Sequence, residues 1–320
     1  MDHSGRIVTI FGGSGFVGTQ LVQHLARRGY RIRVAVRRPD LAGHVRPLGA
    51  VGQVQPIQAN IRNPESVMRA VAGAHVVINL VGVLYEKGRQ RFRAVHTMGA
   101  RNVAEAARAA GAERFIHMSA LGADLNSPSA SARSKAMGED EVLKIFPDAV
   151  IMRPSIQFGP GDDFFNMFGE MARLSPVLPL ISGNTRFQPV YVGDVAEAIA
   201  LAAEGAVRGG RVYELGGSEI LTFRQLLELV LVQTGRSNML LPLPNWLARL
   251  MGTVSGILPH PPITVDQVVQ LGIDNVVSED AIKQKRTLAA FGISPTNLEA
   301  ILPSYMWRFR RNGQFDRQTA

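Results

Sequence analysis

A chain of 320 residues, 46% of them apolar, is long enough to bury one large core or two modest ones. It contains no cysteine, which removes disulfide scaffolds, thiolate zinc sites, iron–sulfur clusters and cysteine nucleophiles; its seven histidines are scattered, with no pair at helical ligand spacing, and read as surface or core residues. The net charge of +9 is concentrated, with seven arginines against one aspartate from Arg27 to Arg46 and four against one from Tyr305 onward, and such patches favour acidic partners. No stretch approaches the roughly 20 apolar residues of a membrane span, because residues 76–84 are interrupted by Asn79 and Gly82. Met1-Asp2-His3-Ser4-Gly5 leads directly into apolar sequence, so a cytosolic product without signal or transit peptide is expected. No metal site and no nucleic-acid partner are expected, since neither ligand spacing nor a recognition helix is present.

In chain order, Ile7-Val8-Thr9-Ile10-Phe11 reads as a buried parallel strand, followed by Gly12-Gly13-Ser14-Gly15-Phe16-Val17-Gly18 and a helix with Val17, Leu21 and Leu25 on one face. One glycine permits the turn, one lets the backbone approach a pyrophosphate, and one lets helix and strand pack closely. The N–H groups of the first helical turn then face the phosphate. A second strand, Arg31-Ile32-Arg33-Val34-Ala35-Val36, ends in Arg37-Arg38. An acidic residue there would accept from a ribose 2′-hydroxyl; two guanidiniums favour a 2′-phosphate instead, so NADPH or NADP is expected over NADH.

Residues 53–59 read as a third strand, with a helix opening near Pro64 and a fourth strand over 74–80. Its end, Asn79-Leu80-Val81-Gly82, falls at the carboxyl edge of the sheet, where open α/β sheets bind ligands; Asn60 is placed to touch an adenine. A helix over 95–110 leads to the fifth strand, Arg114-Phe115-Ile116-His117-Met118-Ser119. Residues 127–135 lead into a helix to about residue 145, and Ala149-Val150-Ile151-Met152-Arg153 is the sixth strand. The pattern predicts an α/β fold, a Rossmann-like doubly wound parallel sheet over residues 1–153. A smaller mixed lobe, partly interleaved with the sheet, is expected over 154–320.

In that lobe, residues 164–174 and 194–204 read as helices, Val212-Tyr213-Glu214-Leu215 as a short strand, and Thr222 as the N-cap of a helix running to residue 233. Between residues 242 and 262, Trp246-Leu247, Leu250-Met251, Val254 and Ile257-Leu258 form an apolar stripe, read either as the packed face of a helix or as a contact with a partner or bilayer. The tail Tyr305-Met306-Trp307-Arg308-Phe309-Arg310-Arg311 suits anionic lipid or an acidic protein surface, or else is a helix end with solvated charges.

Gly12-x-x-Gly15-x-x-Gly18, Ser119 at the end of strand five, Lys135 opening the next helix, Arg153-Pro154-Ser155 and Tyr191-Val192-Gly193-Asp194-Val195-Ala196 resemble the extended and atypical short-chain dehydrogenase/reductase superfamily. The superfamily's chemistry uses a Tyr four residues before the Lys as proton donor, the Lys to lower its pKa and hold the nicotinamide ribose, and a Ser to orient the carbonyl. Here position 131 is Ser, and Tyr85 and Tyr191 do not lie at that spacing. The resemblance therefore implies a retained cofactor site and broken reductase machinery.

Val77-Ile78-Asn79-Leu80-Val81-Gly82, Ser134-Lys135-Ala136-Met137-Gly138-Glu139, Arg153-Pro154-Ser155-Ile156-Gln157-Phe158-Gly159 and Gln188-Pro189-Val190-Tyr191-Val192-Gly193-Asp194-Val195 further resemble the dehydrogenase-like accessory subunits of respiratory complex I, the alpha-subcomplex subunit nine of mitochondria and its alphaproteobacterial relatives. That resemblance implies a non-catalytic subunit holding structural NADPH. Its partners would be other subunits of the peripheral arm and membrane junction, with an anionic lipid contact, on the cytoplasmic side of a bacterial inner membrane. It implies phosphate contacts from Gly12, Gly13, Ser14, Gly15, Phe16, Val17 and Gly18, a 2′-phosphate clamp from Arg37 and Arg38, and an adenine contact from Asn60 beside Ile61. Ribose and nicotinamide contacts are implied from Leu80, Val81, Gly82, Ser119, Lys135, Pro154, Ser155 and Ile156. Two alternatives stay open: a free-standing NADP-dependent reductase or epimerase, and a regulator that senses the redox state of NADPH.

Overall fold

Strand β1 (Ile7–Phe11) lies in the interior of a seven-stranded sheet in which every neighbouring pair is parallel. The computed structural model describes residues 3–255 and 263–315. The chain forms two units: one comprises Met1–Pro154, Val192–Leu215 and Ser278–Ser294, the other Ser155–Tyr191, Gly216–Val277 and Pro295–Ala320. The Ile257-Leu258 end of the apolar stripe, His260, and Asp316 and Arg317 of the basic tail lie outside the described residues.

In unit 1, β1 is followed by α1 (Phe16–Arg27), β2 (Arg31–Val36), β3 (Val54–Gln58), α2 (Pro64–Val71), β4 (Val76–Asn79), α3 (Met98–Ala109), β5 (Arg114–Met118), α4 (Ala130–Ile145), β6 (Val150–Pro154), α5 (Val192–Glu204) and β7 (Arg211–Leu215). The strand order is β7-β6-β5-β4-β1-β2-β3. The chain therefore winds outward from β1 through β2 and β3, then returns to the other side of β1 as β4. This reversal leaves a crevice at the carboxyl ends of β1 and β4, where Phe11 pairs with Asn79.

Both faces of the sheet are covered, which is why its strands are continuous apolar runs rather than alternating ones. Phe11, Val77, Phe115 and Ile151 pack with Val67, Val71, Val103, Ala104 and Ala107 of α2 and α3 in one buried cluster. Helix α5 is built of small and branched residues, with Val195, Ala196, Ile199, Ala200 and Ala203 all buried. It packs against α1, where Glu197 accepts from Arg28 at 2.5 Å and pairs with His24 at 2.7 Å.

Strand β7 and helix α5 were expected in the C-terminal lobe; both belong to the sheet unit. Strand β7 continues the sheet in register on β6, with Val212 opposite Ile151 and Glu214 opposite Arg153. A four-residue apolar pattern carries no information about which edge it will join, and the free edge of β6 decides it. Lys135 does not open its helix either. Ser129 caps α4 by accepting from the Ala132 N–H at 3.1 Å, so Lys135 falls in the second turn. The helix expected over 95–110 begins as a π-helical turn, Arg93–Thr97, before α3. Gly138 of α4 faces this turn so closely that a Cβ there would lie 2.2 Å from the His96 carbonyl oxygen.

Unit 2 is organised round aromatic side chains. Phe158, Phe165, Phe168, Phe187 and Phe223 form a buried cluster with edge-on ring contacts such as Phe168–Phe223, whose centroids are 5.6 Å apart. Helix Phe223–Thr234 starts with a capping box from Thr222 and Gln225 and ends at Gly235 with φ +61°. The aromatic-basic tail is largely structural. Tyr305, Met306 and Phe309 are buried in the same cluster, Phe309 lies against Gly169, and the Arg310 side chain donates to the Gln233 carbonyl at 2.9 Å. Trp307 and Arg308 remain exposed. The apolar stripe divides similarly: in helix Asn245–Ser255, Ala248 and Gly252 are buried, and a Cβ on Gly252 would lie 2.8 Å from the Val265 nitrogen. Trp246, Leu250, Met251 and Val254 face outward, because the small residues are the ones that allow close helix packing.

The tail is anchored by the Tyr305 hydroxyl, which donates to Asp162 at 2.5 Å. Burial pushes the Asp162 carboxyl up, while this bond and backbone N–H groups of Gly159, Asn166 and Phe165 hold it down. Tyr305→Phe removes one partner of a buried carboxylate and is expected to cost about 1–3 kcal/mol, read as a lower urea midpoint with unchanged slope.

Candidate dinucleotide-binding site

The glycine turn after β1 shows three separate close approaches. Gly12 has φ +82°, and its N–H donates to the Ala35 carbonyl of β2 at 3.2 Å. A Cβ on Gly13 would lie 3.1 Å from Val34 Cγ1, and one on Gly18 would lie 2.5 Å from both the Gly12 oxygen and the Gly13 Cα. Gly15 differs, since its missing Cβ would meet only the Gly12 oxygen, at 3.4 Å. It is the N-cap of α1, no side chain caps that helix, and the first-turn N–H groups open toward the same space. Val17 is a core side chain, so its contribution to a phosphate comes from the backbone alone.

On the other wall of the crevice, Asn79 and His117 are paired in register across β4 and β5. The Asn79 amide donates to His117 Nδ1 at 3.2 Å, and its carbonyl oxygen accepts from the Val81 N–H at 3.2 Å, which shapes the Leu80-Val81-Gly82 turn. Leu80 is itself tied back to β1 through its N–H and the Phe11 carbonyl. Gly82 is open, the nearest atom to its missing Cβ being His96 Nε2 at 3.8 Å. The Val83 N–H donates to that Nε2 at 3.0 Å. His96 Nδ1 must then carry the proton and donate to Ser134 Oγ at 2.9 Å, and Ser134 donates to the Ser131 carbonyl at 2.7 Å. Both imidazoles are buried and neutral. Burial, then the Lys135 charge, push His96 down to about 3 and His117 to about 4.

Two polar groups in this region lack a protein partner. Ser119 Oγ is buried without a hydrogen bond, although the Ser119 N–H is held by the Met152 carbonyl at 2.7 Å. The Lys135 ammonium has no hydrogen-bond partner among the described residues. Burial pushes it down to about 8, against an opposing pull from Glu139. Ser119 Oγ is the buried one of the two, and Lys135 is partly exposed toward the crevice end of α4. Together with the open positions at Gly15 and Gly82 they leave polar groups of the crevice available to a nucleotide.

Of the remaining sequence-predicted residues, Arg37 is exposed at the end of β2 with no ion-pair partner among the described residues. Arg38 binds Asp40 at 2.8 Å instead of standing free. Asn60 spends its carbonyl oxygen on the Arg62 N–H, leaving its amide nitrogen open, while the Ile61 side chain packs into the core against Gly99. Phe16 is half-buried, and the Pro154 carbonyl accepts from the Leu121 N–H at 2.9 Å. Ser155 and Ile156 belong to unit 2, where both donate to the Asn275 side chain, at 2.7 and 3.0 Å. Ser131 is buried inside α4. Sequence reasoning passed over His96 and His117. Only the register of β4 on β5 and the π-helical turn reveal their roles, although the Asn79-to-strand-end position was a usable signal.

The fold and this crevice define a Rossmann-like nucleotide-binding protein. The chain matches the NAD dependent epimerase/dehydratase family over residues 8–216 and belongs to it. It is 36% identical over 301 residues to the rat protein "NADH dehydrogenase [ubiquinone] 1 alpha subcomplex subunit 9, mitochondrial", covering 92% of this chain and 78% of that one. A ceramide reductase of Caulobacter vibrioides is 38% identical over 203 residues, 63% of this chain and 62% of the reductase. Among solved structures, UDP-glucose 4-epimerase of Thermus thermophilus in complex with NAD superposes with a TM-score of 0.70 at 24% identity, covering 95% of this chain and 99% of that one.

The two buried histidines make stability depend on acid. Their folded pKa values lie below the unfolded value of about 6.5, so the unfolded state binds more protons as pH falls. Their contribution is complete above that value and is lost on descent toward 4 and 3. Urea unfolding between pH 6.5 and 5 is expected to show a loss approaching about 1.4 kcal/mol per pH unit for each histidine. His96→Gln with His117→Gln should flatten that dependence.

Proposed function

We propose that this chain is an accessory, non-catalytic subunit of a respiratory NADH:ubiquinone oxidoreductase and holds NADPH as a structural cofactor. The observation that carries the reading is the similarity to the rat subunit across 92% of the chain. Bound NADPH supplies a nicotinamide able to give up hydride. The residues that hold it in this reading are the Gly12–Gly18 backbone, Arg37 at the 2′-phosphate with Arg38 once it leaves Asp40, Asn60 at the adenine, and Leu80 to Gly82, Ser119, Lys135 and Pro154 along the ribose and nicotinamide.

Ser131 supports the absence of catalysis. Its hydroxyl is a far weaker acid than a phenol and its side chain is shorter, and the neighbouring Ser134–His96 pair is a closed, neutral chain of hydrogen bonds. The nucleotide then acts by linkage. A ligand that binds only the folded form adds RT ln(1 + [L]/Kd), about 4 kcal/mol at a thousandfold excess. No helix among the described residues is long and apolar enough to cross a membrane. The subunit is proposed to sit peripherally on the cytoplasmic side of a bacterial inner membrane, with the outward Trp246, Leu250 and Val254 against a neighbouring subunit or the bilayer surface.

The similarity to the Caulobacter reductase favours a second reading, an NADP-dependent enzyme using Ser119, Lys135 and another acid. Purification of membrane respiratory complexes in mild detergent, followed by mass spectrometry and nucleotide extraction, separates the two. The subunit reading expects this chain in the band with NADH dehydrogenase activity, carrying roughly equimolar NADPH and oxidising none of it on a screen of carbonyl compounds. A soluble small oligomer that consumes NADPH in the screen overturns it. Arg37→Asp with Arg38→Ala should lower both NADPH content and melting temperature, and no change in either would count against the cofactor assignment.

A further inference from the structure

His44 was read from the sequence as one scattered surface or core histidine. It sits in the 3-10 segment Pro39–Leu48 that follows Arg37-Arg38, where Ala42 and Val45 are buried and His44 is exposed. Its Nε2 lies 3.2 Å from the carbonyl oxygen of Ser14, in the middle of the glycine turn. A carbonyl oxygen only accepts, so Nε2 carries a hydrogen and Nδ1 is the nitrogen left for another partner. Phe11 of β1 pairs with Ala35 of β2, so the glycine turn and the Arg37-Arg38 end of β2 border one gap, and His44 bridges to the turn from the segment beyond. In this fold that gap receives the adenosine ribose and its 2′ substituent.

One guanidinium alone does not balance a 2′-phosphate. A 2′-phosphate carries about −1.5 to −2 charges near neutral pH. Arg38 is already engaged by both oxygens of Asp40, which leaves Arg37 as the free guanidinium. We propose that His44 is a specificity-determining residue for the 2′-phosphate of NADP(H): Nε2–H holds the Ser14 carbonyl, and Nδ1, protonated in the complex, donates to the phosphate beside Arg37. The inference rests on the nucleotide reading above.

The other charged groups of the segment are Arg37, Arg38, Asp40 and Arg46. Of the elements packed on it, α1 carries His24 and Arg27 only in its last turn, β2 carries Arg31 and Arg33, and β3 carries no charged side chain. No carboxylate other than Asp40 therefore stands among these groups to compete for the imidazolium.

A protonated imidazole donates a charge-assisted hydrogen bond to a phosphate, so protonation should tighten binding of the 2′-phosphorylated nucleotide alone. The test is titration of the full-length protein with NADPH and with NADH at pH 8.0 and 6.5. NADPH affinity should rise severalfold on acidification, while NADH affinity stays level. His44→Gln can still donate to Ser14 but cannot take a charge. It should abolish the NADPH dependence and leave NADH binding intact, and His44→Ala should do the same with a looser turn. Equal weakening of both nucleotides by either variant, or an unchanged NADPH profile in His44→Gln, overturns the assignment. If wild-type protein binds neither nucleotide, the underlying cofactor reading fails instead.

Discussion

A backbone-on-backbone contact sets the geometry of the sheet unit: Gly18 in the first turn of α1 lies against Gly12 and Gly13 with no space for a side chain. That approach fixes where α1 begins relative to β1, and so where its uncapped N–H groups point. Everything else at the carboxyl edge is referred to it. The Gly12 N–H ties the turn to β2, the Leu80 N–H ties the β4 turn to the end of β1, and His44 reaches the Ser14 carbonyl from beyond β2. Gly15 and Gly82 are the open positions of this edge, where an added Cβ would meet no atom closer than 3.4 Å.

Across the crevice the polar groups are arranged to stay neutral. Asn79 pairs with His117 and His96 with Ser134 through single, oriented hydrogen bonds, and burial together with Lys135 keeps both rings unprotonated. A proton relay requires a group that can both give and take a proton near neutrality, and neither imidazole can. The π-helical turn that carries His96 is pressed against α4 at Gly138, so the network is built into the packing of two helices.

Much of unit 1 was legible in the chain itself. The first six strands, the glycine turn and the arginines after β2 have periodic or compositional signatures acting over a few residues, and the structure places the strands within one or two residues of the expected bounds. The seventh strand, the π-helical turn and the packed half of the basic tail have no such signature. Tyr305 and Phe309 looked like interfacial aromatics because a sequence cannot tell that Asp162 and Gly169 offer them a hydrogen bond and a groove. In the helix Asn245–Ser255 the large residues were candidates for packing, yet the small ones, Ala248 and Gly252, are buried.

The sequence by itself determined the α/β class, the position of the glycine turn and the presence of Ser rather than Tyr at position 131, since each depends on residue type at short spacing. Only the tertiary structure decided which charges are free and which are spent. Arg37 and Arg38 are equivalent as letters, but Asp40 neutralises the second; His44 is an ordinary surface residue until its segment brings it to the Ser14 carbonyl. Pairing, burial and protonation depend on what the rest of the chain brings within about 4 Å, and that distance is set by packing among elements far apart in sequence.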